Sequence, residues 1–130
     1  MNRKCAIYSR ISIGNEEQLA KITAELIEYC TQKLKITEYI VFEEIASVND
    51  KREKFDSMIN MVHKREFTDM LVASPDRLYK ATYDIEKYNK IIMDIGKCGV
   101  LIHSMKDGRY ISVKRILPGI EIAKYNSEDL

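Results

Sequence analysis

Residues 5–12 read CAIYSRIS, an apolar run that passes into an arginine and two serines. An apolar run without polar alternation is typical of a strand that is covered on both faces of a parallel sheet. Residues 39–42, 70–73 and 100–102 form three further runs of this kind. The sequence therefore predicts four buried parallel strands.

Three segments between these runs show helical periodicity. Asn15, with Gln18 three positions later, is typical of a capping box at the start of the first segment. Asp50 and Glu53 frame the start of the second segment, and Thr82 is the predicted cap of the third. Apolar residues recur every three or four positions at Leu19, Ile22, Leu26 and Tyr29, at Phe55, Met58, Ile59 and Val62, and at Ile85, Tyr88, Ile92 and Ile95.

The order of strands and helices predicts an α/β fold with an open, mostly parallel central sheet of four to five strands and helices on both faces. Residues 110–116 alternate loosely and supply the possible fifth strand, before Pro118 and Gly119 break the pattern. We expect one domain over residues 1–106 and a short C-terminal extension over residues 107–130.

The composition limits the kinds of protein that this chain can be. It has 130 residues, of which 45% are hydrophobic and 32% charged, with a formal net charge of +1. No apolar run approaches the roughly 18 residues of a membrane helix. The near-neutral charge argues against a protein that holds DNA by bulk electrostatics alone. Three cysteines without close spacing predict reduced thiols in a cytoplasm, and the separate His63 and His103 predict no metal site.

Two predicted strands end in loops that carry cations and a serine. Arg10 and Ser12 follow the first strand, and Arg77 and Lys80 follow the third. Carboxyl ends of parallel strands meet at one edge of the sheet, so these side chains can converge there. A serine among guanidinium groups suits attack on a phosphodiester, because the cations stabilise the extra negative charge of the transition state. From the residues alone, a loop-capping serine beside solvated arginines remains an alternative.

Several motifs resemble the catalytic domain of serine site-specific recombinases, the resolvase/invertase family. Residues 8–12 (YSRIS) are similar to the family segment that ends in the nucleophilic serine. Further similarities occur in the family's order at residues 42–47 (FEEIAS), at Arg52 with Phe55 and Met58, at residues 69–72 (DMLV) with 76–78 (DRL), and at Gly99 and Val100. The resemblance extends from about residue 4 to residue 103.

The resemblance implies cleavage and rejoining of DNA through a 5′-phosphoserine intermediate, without metal or cofactor. The nucleophile would be Ser12. The implied partners are DNA and other recombinase subunits, which are either further copies of this chain, as a homodimer or tetramer, or a longer recombinase. No membrane partner is expected. Arg10, Arg52 and Arg77 would bind the phosphate, and Asp76 would orient an arginine or assist proton transfer. These implied catalytic residues are Ser12, Arg10, Arg52, Asp76, Arg77 and Lys80, with Tyr8, Glu44 and Ser47 in support.

The chain also departs from the family pattern. Lys80 stands where the family has arginine, and Ile22 lies near the place of an expected glutamine. Lysine keeps the charge but lacks the planar fork of arginine. Residues 104–130 show no pattern for the family's long dimer helix or its DNA-binding domain.

Two other functions remain open on the sequence. A degenerate domain without catalytic activity could regulate a full-length recombinase. A flavodoxin-like module could bind a phosphate or nucleotide, although residues 12–15 (SIGN) lack a glycine-rich phosphate cradle.

Overall fold

The computed structural model describes residues 2–115 and 120–126, with side chains as far as residue 113. A π-helical turn, Tyr29–Lys33, follows the first helix, and a 3-10 turn, Pro75–Arg77, follows the third strand. The strands and helices are β1 (Cys5–Ile11), α1 (Glu16–Glu28), β2 (Tyr39–Ile45), α2 (Glu53–His63), β3 (Asp69–Val72), α3 (Ile85–Lys97), β4 (Leu101–Ser104), β5 (Arg109–Arg115) and β6 (Ile120–Asn126).

The strands form a single sheet in the order β2-β1-β3-β4-β5-β6. The first four strands are parallel, and β5 and β6 are antiparallel additions at one edge. The predicted open, mostly parallel α/β sheet is confirmed. We expected four to five strands, whereas the structure describes six. The additional strand is β6, which pairs with β5 along seven residues although its own sequence is weakly patterned. The expected break at Pro118 and Gly119 lies outside the described residues.

Both β5 and β6 follow residue 106 and continue the same sheet as β4. The division of the chain at residue 106 stays a prediction. Among the helices of the described part of the chain, none is both long and apolar enough to cross a membrane.

Helices cover both faces of the sheet, as predicted. Alternate residues of β1 point to opposite faces because the side-chain period of a strand is two. On one face, Cys5 and Ile7 pack with Leu26 of α1. On the other face, the hydrophobic core joins alternate strand residues to α2 and α3; it includes Ala6, Tyr8, Met70, Val72, Phe55, Met58, Ile92 and Ile95.

One glycine allows α3 to approach β5 closely. A Cβ atom added at Gly96 would lie 2.2 Å from Cγ2 of Val113. Any larger residue at this position would therefore push the helix away from the antiparallel edge of the sheet.

The first helix begins as predicted, because Asn15 and Gln18 form a complete capping box. The prediction for the third helix is wrong: the cap is Asp84, whose side chain accepts a hydrogen bond from the backbone N–H of Lys87, and not Thr82. The sequence pattern suggested Thr82 because both residues precede the apolar stripe and both types cap helices.

The start of α2 also differs from the sequence pattern. Its backbone N–H groups at Lys54 and Phe55 donate to the carboxylate of Glu44, which comes from β2. Asp50 instead accepts a hydrogen bond from the backbone N–H of Ser47. A carboxylate from β2, 10 and 11 positions before these N–H groups, therefore caps this helix, and a capping-box spacing of three residues could not reveal it.

Candidate active site

The guanidinium of Arg10 occupies the centre of the carboxyl edge of the sheet. Arg10 lies near the end of β1 and is only 1% exposed. Its Nε donates to the carbonyl of Arg77 at 2.9 Å, and Nη2 donates to the carbonyl of Asp76 at 3.3 Å. Its Nη1 donates to Oγ of Ser12 and to the carbonyl of Ala46, both at 2.9 Å. All four acceptors are neutral oxygens.

Among the described residues, no carboxylate is bonded to this buried positive charge. Burial lowers the pKa of Arg10, and the neighbouring cations Arg77 and Arg52 lower it further, while Tyr8 and Asp76 raise it. An arginine nevertheless keeps its proton in a protein. The edge of the sheet therefore presents a positive charge that an incoming anion can neutralise.

Ser12 lies directly after β1, half-buried. Its Oγ accepts the hydrogen bond from Arg10, and such a bond stabilises a developing alkoxide more than it stabilises the neutral hydroxyl. The loop that carries Ser12 ends at the capping box of α1. Ser12 is thus held between a strand end and a helix start.

Arg52, at the start of α2, adds a second guanidinium to the same edge. Its Nη1 donates to the carbonyl of Arg77 at 3.3 Å and makes a long contact of 3.5 Å with the Tyr8 hydroxyl. The guanidinium lies 3.9 Å from the centre of the Phe55 ring. A single carbonyl in the 3-10 turn therefore accepts hydrogen bonds from both Arg10 and Arg52.

Tyr8 and Glu44 connect this second arginine to the sheet. The Tyr8 hydroxyl donates to Oε2 of Glu44 at 2.5 Å, and Glu44 also caps α2. Burial and the Glu44 carboxylate raise the pKa of Tyr8 well above its usual value. Tyr8 therefore stays a hydrogen-bond donor, and its bond to Glu44 fixes the start of α2, with Arg52, against β1.

The turn after β3 places its charged side chains differently. The guanidinium of Arg77 is half-buried and makes no hydrogen bond to any described residue, so it is available for a ligand. The Asp76 carboxylate is exposed and accepts a hydrogen bond from Oγ of Ser74, not from an arginine. The ammonium of Lys80 lies 5.3 Å from the centre of the Tyr83 ring.

Ser47 belongs to the turn after β2. Its Oγ accepts from the backbone N–H of Asn49 at 3.3 Å, and its own N–H donates to Asp50. Within the described residues it has no hydrogen bond to Ser12 or to the arginines. The structure thus brings Ser12, Arg10, Arg52, Tyr8 and Glu44 into one hydrogen-bonded set with the Arg77 backbone, and it leaves Ser47 outside this set.

A second charged cluster, missed in the sequence, lies at the start of β3. The buried Asp69 carboxylate accepts from Arg3 Nη2 at 2.8 Å and lies 2.7 Å from Nε2 of the fully buried His103. Burial raises the pKa of Asp69, but the hydrogen bonds from His103, Arg3 and Thr68 outweigh it and lower the pKa to about 2. The only available signal was a charged residue at the start of a buried strand.

Neither histidine is isolated from acidic residues, since His63 Nε2 also lies 2.8 Å from Oδ2 of Asp94. Over residues 2–115 and 120–126, no three side chains among His, Cys, Asp and Glu come together as a metal-binding group.

The α/β sheet with a serine and arginines at its carboxyl edge defines the class of the protein, and comparison with known proteins places it in a family. Residues 5–115 match the family model for the resolvase N-terminal domain, so the chain belongs to that family and is a serine recombinase catalytic domain. No curated protein matches the chain.

Solved structures share this fold. The C-terminal catalytic domain of ISC1926 TnpA, an IS607-like serine recombinase, is 28% identical with a TM-score of 0.60 over 78% of this chain and 67% of that one. The N-terminal catalytic domain of TP901-1 integrase shares the fold, with 19% identity and a TM-score of 0.67 over 81% and 79%. A serine recombinase from Sulfolobus solfataricus, at 24% identity, has a TM-score of 0.57 over 80% and 69%.

Proposed function

We propose that this domain cleaves and rejoins DNA with Ser12 as the nucleophile. The observation that carries the proposal is the hydrogen bond from the buried Arg10 guanidinium to Oγ of Ser12. The remaining Arg10 hydrogen bonds go to backbone carbonyls, so the charge is held in place without being neutralised by a bonded carboxylate. A preorganised cation of this kind stabilises charge that develops during the reaction.

The proposed step exchanges one ester bond for another. Oγ of Ser12 attacks the phosphorus of a DNA phosphodiester and loses its proton. The bond from phosphorus to the 3′ oxygen breaks, and that oxygen leaves with a proton as a 3′ hydroxyl. The 5′ phosphate remains bonded to Ser12. Rejoining is the reverse reaction, so the sequence of steps needs no external energy source and is covalent nucleophilic catalysis.

The cations of the site have different roles in binding the phosphate. Arg10 contacts the nucleophile, while Arg77, whose guanidinium has no hydrogen bond to the described residues, and the adjacent Arg52 bind phosphate oxygens. Lys80 contributes a further charge, and Asp76 orients a cation or assists proton transfer once DNA is bound. Support comes from Tyr8 and Glu44, which hold Arg52 in place, and from Ser47 in the neighbouring turn.

The proposed partners are DNA and other recombinase subunits. One chain carries one Ser12 and cuts one strand at a time, so exchange of two duplexes needs four such sites. These come from copies of this chain, as a dimer or tetramer, or from a longer recombinase. The three free cysteines and a DNA substrate fit a cytoplasmic location.

A covalent trapping experiment tests the proposal. The full chain is incubated with supercoiled plasmids that carry the DNA flanking its gene, and the reaction is quenched with detergent. We expect a fraction of the plasmid to be linked to protein at a 5′ end. After nuclease digestion, mass spectrometry should find the residual nucleotide on Ser12.

Two serine variants provide the comparison. Ser12→Ala should abolish the linkage. Ser9→Ala is the matched control, because Ser9 lies on the same strand but its buried Oγ contacts Thr23 at 2.9 Å. A linkage that persists in Ser12→Ala would overturn the assignment of the nucleophile. Absence of any linkage, both alone and in mixtures with a longer recombinase, would overturn the catalytic function.

A further inference from the structure

An exposed aromatic side chain lies over the one cation that departs from the family pattern. Tyr83 is 56% exposed, although most large apolar side chains of the described residues are buried. The ammonium of Lys80 lies 5.3 Å from the centre of its ring, within the range of a cation–π contact. The ring is therefore not part of the hydrophobic core.

The backbone between the two residues explains the contact. The N–H groups of Tyr83 and Asp84 both point to the carbonyl of Lys80, at 3.0 and 3.4 Å. This turn brings the ring back over the lysine. Asp84 then caps α3, which fixes the end of the turn. The backbone position of Tyr83 is thus set by hydrogen bonds that do not involve its hydroxyl, and its ring lies against the Lys80 ammonium.

A lysine at this position needs more external support than an arginine. An ammonium on a flexible four-carbon chain samples many positions, and it lacks the planar fork that aligns a guanidinium with phosphate oxygens. Holding the ammonium before the substrate arrives removes part of the entropy cost of binding. The face of an aromatic ring attracts the ammonium without neutralising its charge.

We infer that Tyr83 is a positioning residue for Lys80 and keeps its ammonium ready to bind a phosphate oxygen of the DNA. This inference rests on the proposed function, since it assigns Lys80 to the same site as Ser12. It also accounts for a lysine where the family has arginine: the neighbouring ring supplies the order that the lysine side chain lacks.

The first test observes the contact in the free protein. Protons on the carbon next to the Lys80 ammonium should be shifted upfield in the NMR spectrum by the ring current of Tyr83. The shift should disappear in Tyr83→Leu and persist in Tyr83→Phe, which keeps the ring. An unchanged Lys80 spectrum in Tyr83→Leu would overturn the inference.

The second test measures the rate of Ser12 linkage in a single turnover. Tyr83→Leu should reduce the rate about 2- to 5-fold, the effect of losing an exposed cation–π contact, and Tyr83→Phe should retain it. In a Lys80→Ala background, Tyr83→Leu should have no further effect. Lys87→Ala is the surface-charge control, because Lys87 lies over the ring of Tyr79 instead.

The possible outcomes separate the two proposals. Equal rates for Tyr83→Leu and the wild type would overturn the inference while leaving Ser12 catalysis intact. A full rate loss that persists in the Lys80→Ala background would also overturn it, because the ring would then act without the lysine. If the wild type forms no Ser12 linkage, the proposed function fails, and the role of Tyr83 in phosphate binding fails with it.

Discussion

The carboxyl edge of the central sheet and the start of β3 each contain a buried charge, but only the charge at the start of β3 is paired with opposite charges. At the carboxyl edge, the Arg10 guanidinium donates only to neutral oxygens and has two cations nearby. At the start of β3, the Asp69 carboxylate is bonded to both Arg3 and His103. The positive charge of Arg10 therefore stays unneutralised at the carboxyl edge, whereas the negative charge of Asp69 is neutralised within the fold.

This difference separates binding from stability. A buried charge that has its counter-ion contributes to holding strands together, and removing either partner leaves the other unpaired. A buried positive charge that is held by neutral dipoles repels other cations and attracts an anion from outside. We therefore expect substitutions at Arg10 to affect the reaction and substitutions at Asp69 to affect folding.

The largest expected effect is on catalysis, in Arg10→Met. The rate of Ser12 linkage should fall by about 10²- to 10³-fold, as when a preorganised donor is removed from a transition state. The free energy of unfolding should change by only about 1 kcal/mol, because removing a buried, unneutralised charge offsets the loss of its hydrogen bonds to the backbone carbonyls. Trapping kinetics and urea denaturation measure the two quantities. A loss of stability as large as that of Asp69→Asn would contradict the comparison.

At the other end, Asp69→Asn should lower the free energy of unfolding by about 3 kcal/mol, because it leaves Arg3 and His103 without their carboxylate. The measurement is urea denaturation at pH 7. The linkage rate, measured where the variant is still folded, should stay close to that of the wild type. A selective loss of linkage with normal stability would assign Asp69 to the reaction instead.

The same carboxylate predicts a pH dependence of stability. The pKa of Asp69 is lowered from 3.8 to about 2 in the folded protein. Its contribution is therefore complete above about pH 4 and is lost as the pH falls toward 2, by about 2 kcal/mol in total. The free energy of unfolding, measured by urea denaturation between pH 2 and 6, should depend less on pH for Asp69→Asn than for the wild type. The same pH dependence in the two proteins would refute the assignment.

The smallest expected effect is at the exposed pair of His63 and Asp94. Their side chains are 48% and 51% exposed, so solvent screens the interaction. Asp94→Asn should lower the free energy of unfolding by less than about 1 kcal/mol at pH 7. This variant is the matched control for Asp69→Asn, since each removes a carboxylate beside a histidine. A similar loss in both variants would show that burial does not decide the effect.

The fold was largely predictable from sequence because its signals are local. Apolar runs identified the four parallel strands, and Asn15 with Gln18 marked the start of α1 correctly. The approach of Arg10 and Ser12 to the turn that carries Arg77 followed from the rule that parallel strands end at one edge. These predictions needed only short stretches of chain.

The remaining features depend on contacts between distant residues. The bond between Arg3 and Asp69 spans 66 positions, and Glu44 caps α2 from β2, 10 and 11 positions before the N–H groups it accepts from. In addition, β6 depends on pairing with β5 rather than on its own pattern. The carbonyls that accept hydrogen bonds from Arg10 could not be predicted either, because backbone groups carry no sequence signature.

The shared carbonyl of Arg77 has a consequence for protein engineering. It accepts from Arg10, 67 positions away, and from Arg52, 25 positions away, so three segments meet at one atom. A chimera that exchanges only the 3-10 turn with a relative would impose a foreign backbone on two native arginines. Exchange boundaries should therefore keep β1, the start of α2 and this turn from a single parent.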